Sequence, residues 1–117
     1  MTLYGIPNCD TVKKARAWFA ARDIDIPFHD LRRDGLEATR LAAWLDALGA
    51  DALVNRRGAT WRRLSAEQRA ACDDPTPLTA LLLAQPTLIR RPVVEIGHRT
   101  TVGFVPDTWQ ELLGNTQ

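Results

Sequence analysis

The first thirty or so residues hold the pattern that most restricts how this chain folds. Met1–Gly5 reads as a short buried strand, closed by the turn Gly5-Ile6-Pro7-Asn8. From Asp10 to Arg22 there is neither glycine nor proline, and Val12, Ala15 and Phe19 fall on one helical face with Trp18 beside them. Asp25–Leu31 reads as a second strand, with Ile26 and Phe28 on one side. A strand, a helix and a strand in about thirty residues is the length of a right-handed crossover between parallel strands.

Arg33-Asp34-Gly35 breaks that unit. A helix is then predicted from Leu41, Trp44, Leu45 and Leu48, spaced i, i+3, i+4, i+7 and ended by Gly49. Asn55–Arg63 is basic and glycine-containing and reads as a loop, while Ser65-Ala66-Glu67-Gln68 fits a capping box. Thr76 followed by Pro77 reads as a helix start, burying Leu78, Leu81 and Leu82 before Pro86. Val93–Ile96 and Thr100–Phe104 read as strands joined through Gly97-His98, and Asp107 as the cap of a last helix burying Trp109, Leu112 and Leu113. The expected fold is α/β: one domain over 1–117, thioredoxin-like, with a mixed sheet of about four strands and a helical insertion at about 36–85.

Composition narrows the function. A net charge of +1 gives no global field for nucleic acid or an anionic membrane, so any basic site is local. No apolar run is long enough to span a bilayer, and MTLYGIPNCD has no signal-peptide pattern, so a cytoplasmic protein is expected. The two cysteines, Cys9 and Cys72, are then expected to be reduced. His29 and His98 have no partner at ligand spacing, so no metal site is expected.

Cys9 stands where the turn meets the helix, flanked by Asn8, Asp10 and Thr11. Free amides and the positive end of the dipole at a helix start favour a thiolate, bringing a thiol from near 8.5 to roughly 3.5–7.5. Lys13 and Lys14 add charge one turn on. The fourth position of Cys9-Asp10-Thr11-Val12 is not a cysteine, so no disulfide forms within this motif. Arg91-Pro92, just before a strand, is where a thioredoxin-like fold keeps a cis proline beside its cysteine. Arg91 is then expected to steady the thiolate and to bind an anion in paired fashion. Of the basic cluster Arg56, Arg57, Arg62 and Arg63 around Trp61, Arg56 is the expected anion contact. Arg90 and the other arginines of the cluster read as solvated charges, and Cys72 as a packing residue.

The segments LYGIPNCDTVKKAR, FHDLR, LVNRRGATWRRL, QPTLIRRPVV and VGF together resemble the arsenate reductase (ArsC)/Spx family, most closely its YffB-like branch. The resemblance covers nearly the whole chain. It implies a glutathione-dependent thiol reductase with a single nucleophilic cysteine that forms a mixed disulfide. The cysteine matches Cys9, a middle-loop arginine matches Arg56, and an arginine before the cis proline matches Arg91. Cys9 and Arg91 would be catalytic, and Asn8, Asp10, Thr11, Lys13, Arg56 and Pro92 would contact substrate. The family's third, product-binding arginine has Phe104 near its position, so little or no arsenate reduction is expected. Glutathione is the implied co-substrate and glutaredoxin an implied partner, with no bound cofactor, and the protein is expected to be a monomer. The other function the resemblance implies is a non-catalytic, Spx-like regulator that binds RNA polymerase.

Overall fold

A mixed sheet carries the first and last segments of the chain, and a run of helices fills the middle. The structure is a computed structural model and describes residues 1–115. In chain order the elements are β1 (Thr2–Gly5), α1 (Asp10–Ala20), β2 (Phe28–Asp30), α2 (Ala38–Leu48), α3 (Ala50–Leu53), α4 (Ala59–Arg63), α5 (Ala66–Ala71) and α6 (Pro75–Ala84). A 3₁₀ turn (Pro86–Leu88), β3 (Val93–Ile96), β4 (Arg99–Val102) and α7 (Pro106–Asn115) complete it.

The chain divides into two compact units, one of Met1–Gly35 with the segment from Arg91 onward, the other of Leu36–Arg90. In the first, the sheet order is β2-β1-β3-β4. β1 pairs with β2 in parallel, Leu3 opposite Phe28, and with β3 antiparallel, Leu3 opposite Val94. β3 pairs antiparallel with β4. Leu3, Val94 and Ile96 meet Val12, Ala15 and Phe19 of α1 and Trp109 and Leu112 of α7 in a buried core. Trp109 is its centre: fully buried, with ring centroids 5.0 Å from Phe19, 5.4 Å from Trp18 and 5.5 Å from Phe104. Its indole N–H donates to Thr101 Oγ1 at 2.8 Å, so no polar atom of the ring is stranded.

In the Leu36–Arg90 unit, Leu41 and Trp44 of α2 are buried, as are Leu78 and Leu82 of α6, Leu53 and Leu88. The segments before and after α6 are tied by backbone bonds, Asn55 N–H to Leu88 O at 2.8 Å and Arg90 N–H to Leu53 O at 2.7 Å. The capping box is formed at both contacts: Gln68 N–H donates to Ser65 Oγ at 3.1 Å, and Ser65 N–H to Gln68 Oε1 at 2.9 Å.

Several sequence expectations need correction. The second strand starts only at Phe28, because Pro27 has no N–H to give a ladder. β4 runs Arg99–Val102 and stops before Gly103, whose φ of +85° leaves the extended region. The Asn55–Arg63 loop contains α4: Gly58 is its extended N-cap, and Arg69 donates to the Trp61 and Arg62 carbonyls at its other end. α6 starts at Pro75 with the extended Asp74 as N-cap, not at Thr76–Pro77: Pro75 suits the first helical position, and Thr76 is helical although Pro77 follows it. α7 starts at Pro106, one residue before the expected cap Asp107, for the same reason.

Candidate functional site

Cys9 is the N-cap of α1. Its backbone is extended (φ −91°, ψ 125°), its N–H donates to Ile6 O at 3.2 Å, and its carbonyl accepts from Lys13 N–H at 3.0 Å. The sulfur thus stands at the first turn of the helix, half-buried against the core. It makes no full capping hydrogen bond. Burial alone would push the thiol up. The Val12 amide, the Arg91 guanidinium as donor and as charge, and the Thr11 amide outweigh burial, and the thiol is held below its ordinary value. Contacts that are weak toward a neutral thiol strengthen as the sulfur ionises, which is how a helix start and a cation favour thiolate.

Arg91 approaches the sulfur from the segment that leads into β3. The Arg91–Pro92 peptide is cis, Pro92 is buried, and Pro92 O accepts from Gly103 N–H at 2.9 Å, which fastens the segment that carries the guanidinium. The structure therefore brings Cys9, the Arg91 guanidinium and the Val12 and Thr11 amides together, with Pro92 next to Arg91 in the chain. Asn8, Asp10 and Thr11 have exposed side chains, as does Lys13. The positive charge acting on the sulfur is that of Arg91. Lys14, by contrast, sets its ammonium 4.4 Å from the centroid of the Phe104 ring.

Val12, where a dithiol motif would hold its second cysteine, is fully buried. The second cysteine of the chain, Cys72, lies in the Leu36–Arg90 unit at the C-cap of α5, buried, with its thiol donating to Gln68 O at 3.5 Å. Burial pushes this thiol up, Arg56 opposes that and Asp73 adds to it; the net shift is upward. The two thiols are thus driven in opposite directions.

Arg56 is in the Leu36–Arg90 unit. Its Nη1 donates to Asp51 Oδ1 at 2.9 Å, and its guanidinium lies 5.5 Å from the Trp61 ring, which Arg69 also approaches to 5.5 Å. With Asn55, Arg57 and Arg90 it lines a cavity of about 370 Å³. Arg57 and Arg90, read from sequence as surface charges, share this cavity with Arg56. Arg90 is held there by its backbone bond to Leu53, a pairing the sequence does not show. Trp61 is partly exposed between its two arginines.

The ArsC family pattern matches residues 4–112, the stretch that holds the cysteine turn, the inserted helices and the cis proline. The chain belongs to the ArsC family. This ArsC-family chain is 42% identical to the YffB protein, whose solved structure superposes with a TM-score of 0.89 and covers 96% of this chain and 97% of its own. It is 41% identical to an arsenate reductase (ArsC) related protein from Brucella melitensis, TM-score 0.73, with 94% and 91% covered. It is 26% identical to the global transcriptional regulator Spx of Streptococcus pyogenes, over 92% of this chain and 80% of that one. The thioredoxin-like α/β fold of the family is the fold of this ArsC-family chain. Among the described residues no helix is long and apolar enough to cross a membrane, and no group of three or more His, Cys, Asp or Glu is placed to hold a metal.

Proposed function

We propose that this ArsC-family protein is a thiol reductase that works through Cys9 alone, with glutathione as co-substrate. The observation that carries this reading is the contrast at the first turn of α1: a sulfur favoured as thiolate, and a buried Val12 where a second thiol would stand. Such a site attacks sulfur and cannot close its own disulfide. In the first step the Cys9 thiolate attacks the glutathione sulfur of a substrate–glutathione disulfide, forming a Cys9–glutathione mixed disulfide and expelling the substrate as thiolate. In the second step an outside thiolate attacks the glutathione sulfur of that mixed disulfide, giving a new disulfide and returning Cys9 as thiolate. Glutathione, or glutaredoxin acting with it, supplies this second thiol.

Arg91 steadies the charge on Cys9, and cis Pro92 with the Thr11 amide shapes the wall beside it. Asn8, Asp10 and Lys13, exposed around the turn, contact the incoming peptide. Arg56, with Arg57 and Arg90 in one cavity, binds anionic groups. Guanidinium forks match carboxylates in a paired geometry that an ammonium cannot copy. A reducing, cytoplasmic setting and a monomeric protein complete the proposal. Arsenate is not the favoured substrate, because Phe104 occupies the region where the family's third arginine is expected and its ring is engaged by Lys14 and Trp109.

The test is intact-mass detection of the adduct after incubation with oxidised glutathione, with its site mapped by peptide sequencing. One glutathione on Cys9 is expected, formed more slowly in Arg91→Ala and Arg56→Ala. An adduct confined to Cys72, or rates indifferent to both substitutions, overturns the proposal. The similarity to Spx makes a regulatory scaffold the competing reading. A Cys9 that forms no adduct at all favours it.

A further inference from the structure

Gly5 ends β1, pairs with Asp30 of β2, and accepts from Leu31 N–H at 2.9 Å. Nothing in its backbone calls for glycine: no positive φ is found there. What demands glycine is the space. A Cβ on residue 5 would lie 2.6 Å from Val12 Cγ2 and 3.1 Å from Val12 Cγ1, inside the 3.4 Å at which ordinary contact begins. Val12 cannot swing its methyls clear, because a β-branched side chain in a helix is held to one rotamer and this one is fully buried in the core. The strand end and the first helical turn are therefore in contact at a separation only glycine allows.

We propose that Gly5 is a positioning residue for Cys9: its missing side chain lets Val12 seat against β1, and that seat sets where the amides of the first turn of α1 stand relative to the sulfur. This rests on the reading of Cys9 as a working thiolate. Val12 thereby has two parts. Its side chain locks the turn to the strand, and its amide is a hydrogen-bond donor that favours the ionised sulfur. A methyl on residue 5 has to move Val12, and the amide moves with it. Such a movement acts on the thiolate more than on the thiol, since only the ionised sulfur draws strongly on the amides.

The experiment follows iodoacetamide alkylation of Cys9 against pH by peptide mass spectrometry, with Cys72 as internal reference and no substrate present. In Gly5→Ala the Cys9 midpoint is expected to rise, and each whole pH unit of that rise slows alkylation about tenfold well below the midpoint. In the double variant Gly5→Ala with Val12→Ala, the clashing methyls are gone while the amide stays, and the midpoint is expected to return to that of the wild type. A general loss of stability would not be reversed by also hollowing the core, so this rescue separates positioning from simple destabilisation. If Gly5→Ala does not fold, the double variant is expected to fold and to show the wild-type midpoint. A double variant that fails to fold or keeps a raised midpoint overturns the proposal. So does a folded Gly5→Ala whose midpoint equals that of the wild type. A wild-type Cys9 that ionises like a free thiol overturns the thiolate reading as well, whereas a low wild-type midpoint indifferent to residue 5 overturns only the role of Gly5.

Discussion

Replacing Arg91 by alanine tests the electrostatics of the site most directly. The guanidinium favours the Cys9 thiolate both as a donor and as a charge, against burial that opposes it. A hydrogen bond to a charged group contributes about 1.5–3 kcal/mol, and a half-exposed sulfur recovers only the lower part of that because water screens the pair. Since ~1.4 kcal/mol corresponds to one pKa unit, the Cys9 midpoint is expected to rise by about one unit in Arg91→Ala. The sign is fixed: the substitution removes stabilisation of the anion, so alkylation is lost from the acid side of the profile and the two curves meet where both sulfurs are fully ionised. At a pH below both midpoints the rate should fall about tenfold. The Val12 and Thr11 amides remain, so the midpoint should stay below that of Cys72, whose thiol is pushed upward by burial. Arg91→Lys should fall between, since it keeps a charge and loses the planar fork. The assay is alkylation by iodoacetamide across pH, scored separately on the Cys9 and Cys72 peptides. An unmoved Cys9 profile in Arg91→Ala, or a wild-type Cys72 that labels faster than Cys9, refutes the reasoning.

Three further outcomes are expected. Phe104→Arg should raise arsenate turnover measured with glutathione and glutaredoxin, while the unmodified protein turns arsenate over little; brisk turnover by the unmodified protein sinks this idea. Trp109→Ala removes the fully buried centre of the sheet core with its three ring contacts and should lower unfolding free energy by about 3–5 kcal/mol, read by urea denaturation, with a loss under about 1 kcal/mol contradicting the packing described. Ser65→Ala removes the side-chain arm of a formed capping box and should cost about 1 kcal/mol in the same assay, while leaving Cys9 alkylation unchanged.

The parts of the fold that the sequence shows well are those set by local periodicity. Val12, Ala15 and Phe19 mark the buried face of α1 because a helix places them there, and all three are buried. Arg91-Pro92 marks the arginine whose guanidinium reaches the sulfur, and the cis form of its peptide agrees with the thioredoxin-like reading. What the sequence hides depends on backbone partners far along the chain. α4 is stabilised by Arg69 donating to its last carbonyls, a contact that no local pattern in Asn55–Arg63 reveals. Arg90 looks like its neighbour, yet its N–H belongs to Leu53. Gly5 looks like a turn residue, and only the distance to Val12 shows why it is glycine. Lys13 and Lys14 look like the charges nearest Cys9 in sequence, but Arg91, 82 positions away along the chain, is the cation that acts on it.

Arg90 and Arg91 are adjacent and chemically identical, yet they serve different ends, since one backbone is stitched to Leu53 and the next side chain serves Cys9. A composition-based view treats them as interchangeable, but their order in the chain is a reading frame. Point substitutions here degrade one of the two roles at a time. A single-residue insertion or deletion between Ile89 and Pro92 changes the spacing between the amide bound to Leu53 and the guanidinium that serves Cys9, so at least one of the two is put out of register. The tight Gly97–His98 turn, exposed and with Gly97 at φ +59°, has no such double duty. Length variation is therefore expected to be tolerated at that hairpin and rejected at the arginine pair, and Cys9 labelling in matched one-alanine insertions at the two places measures the difference.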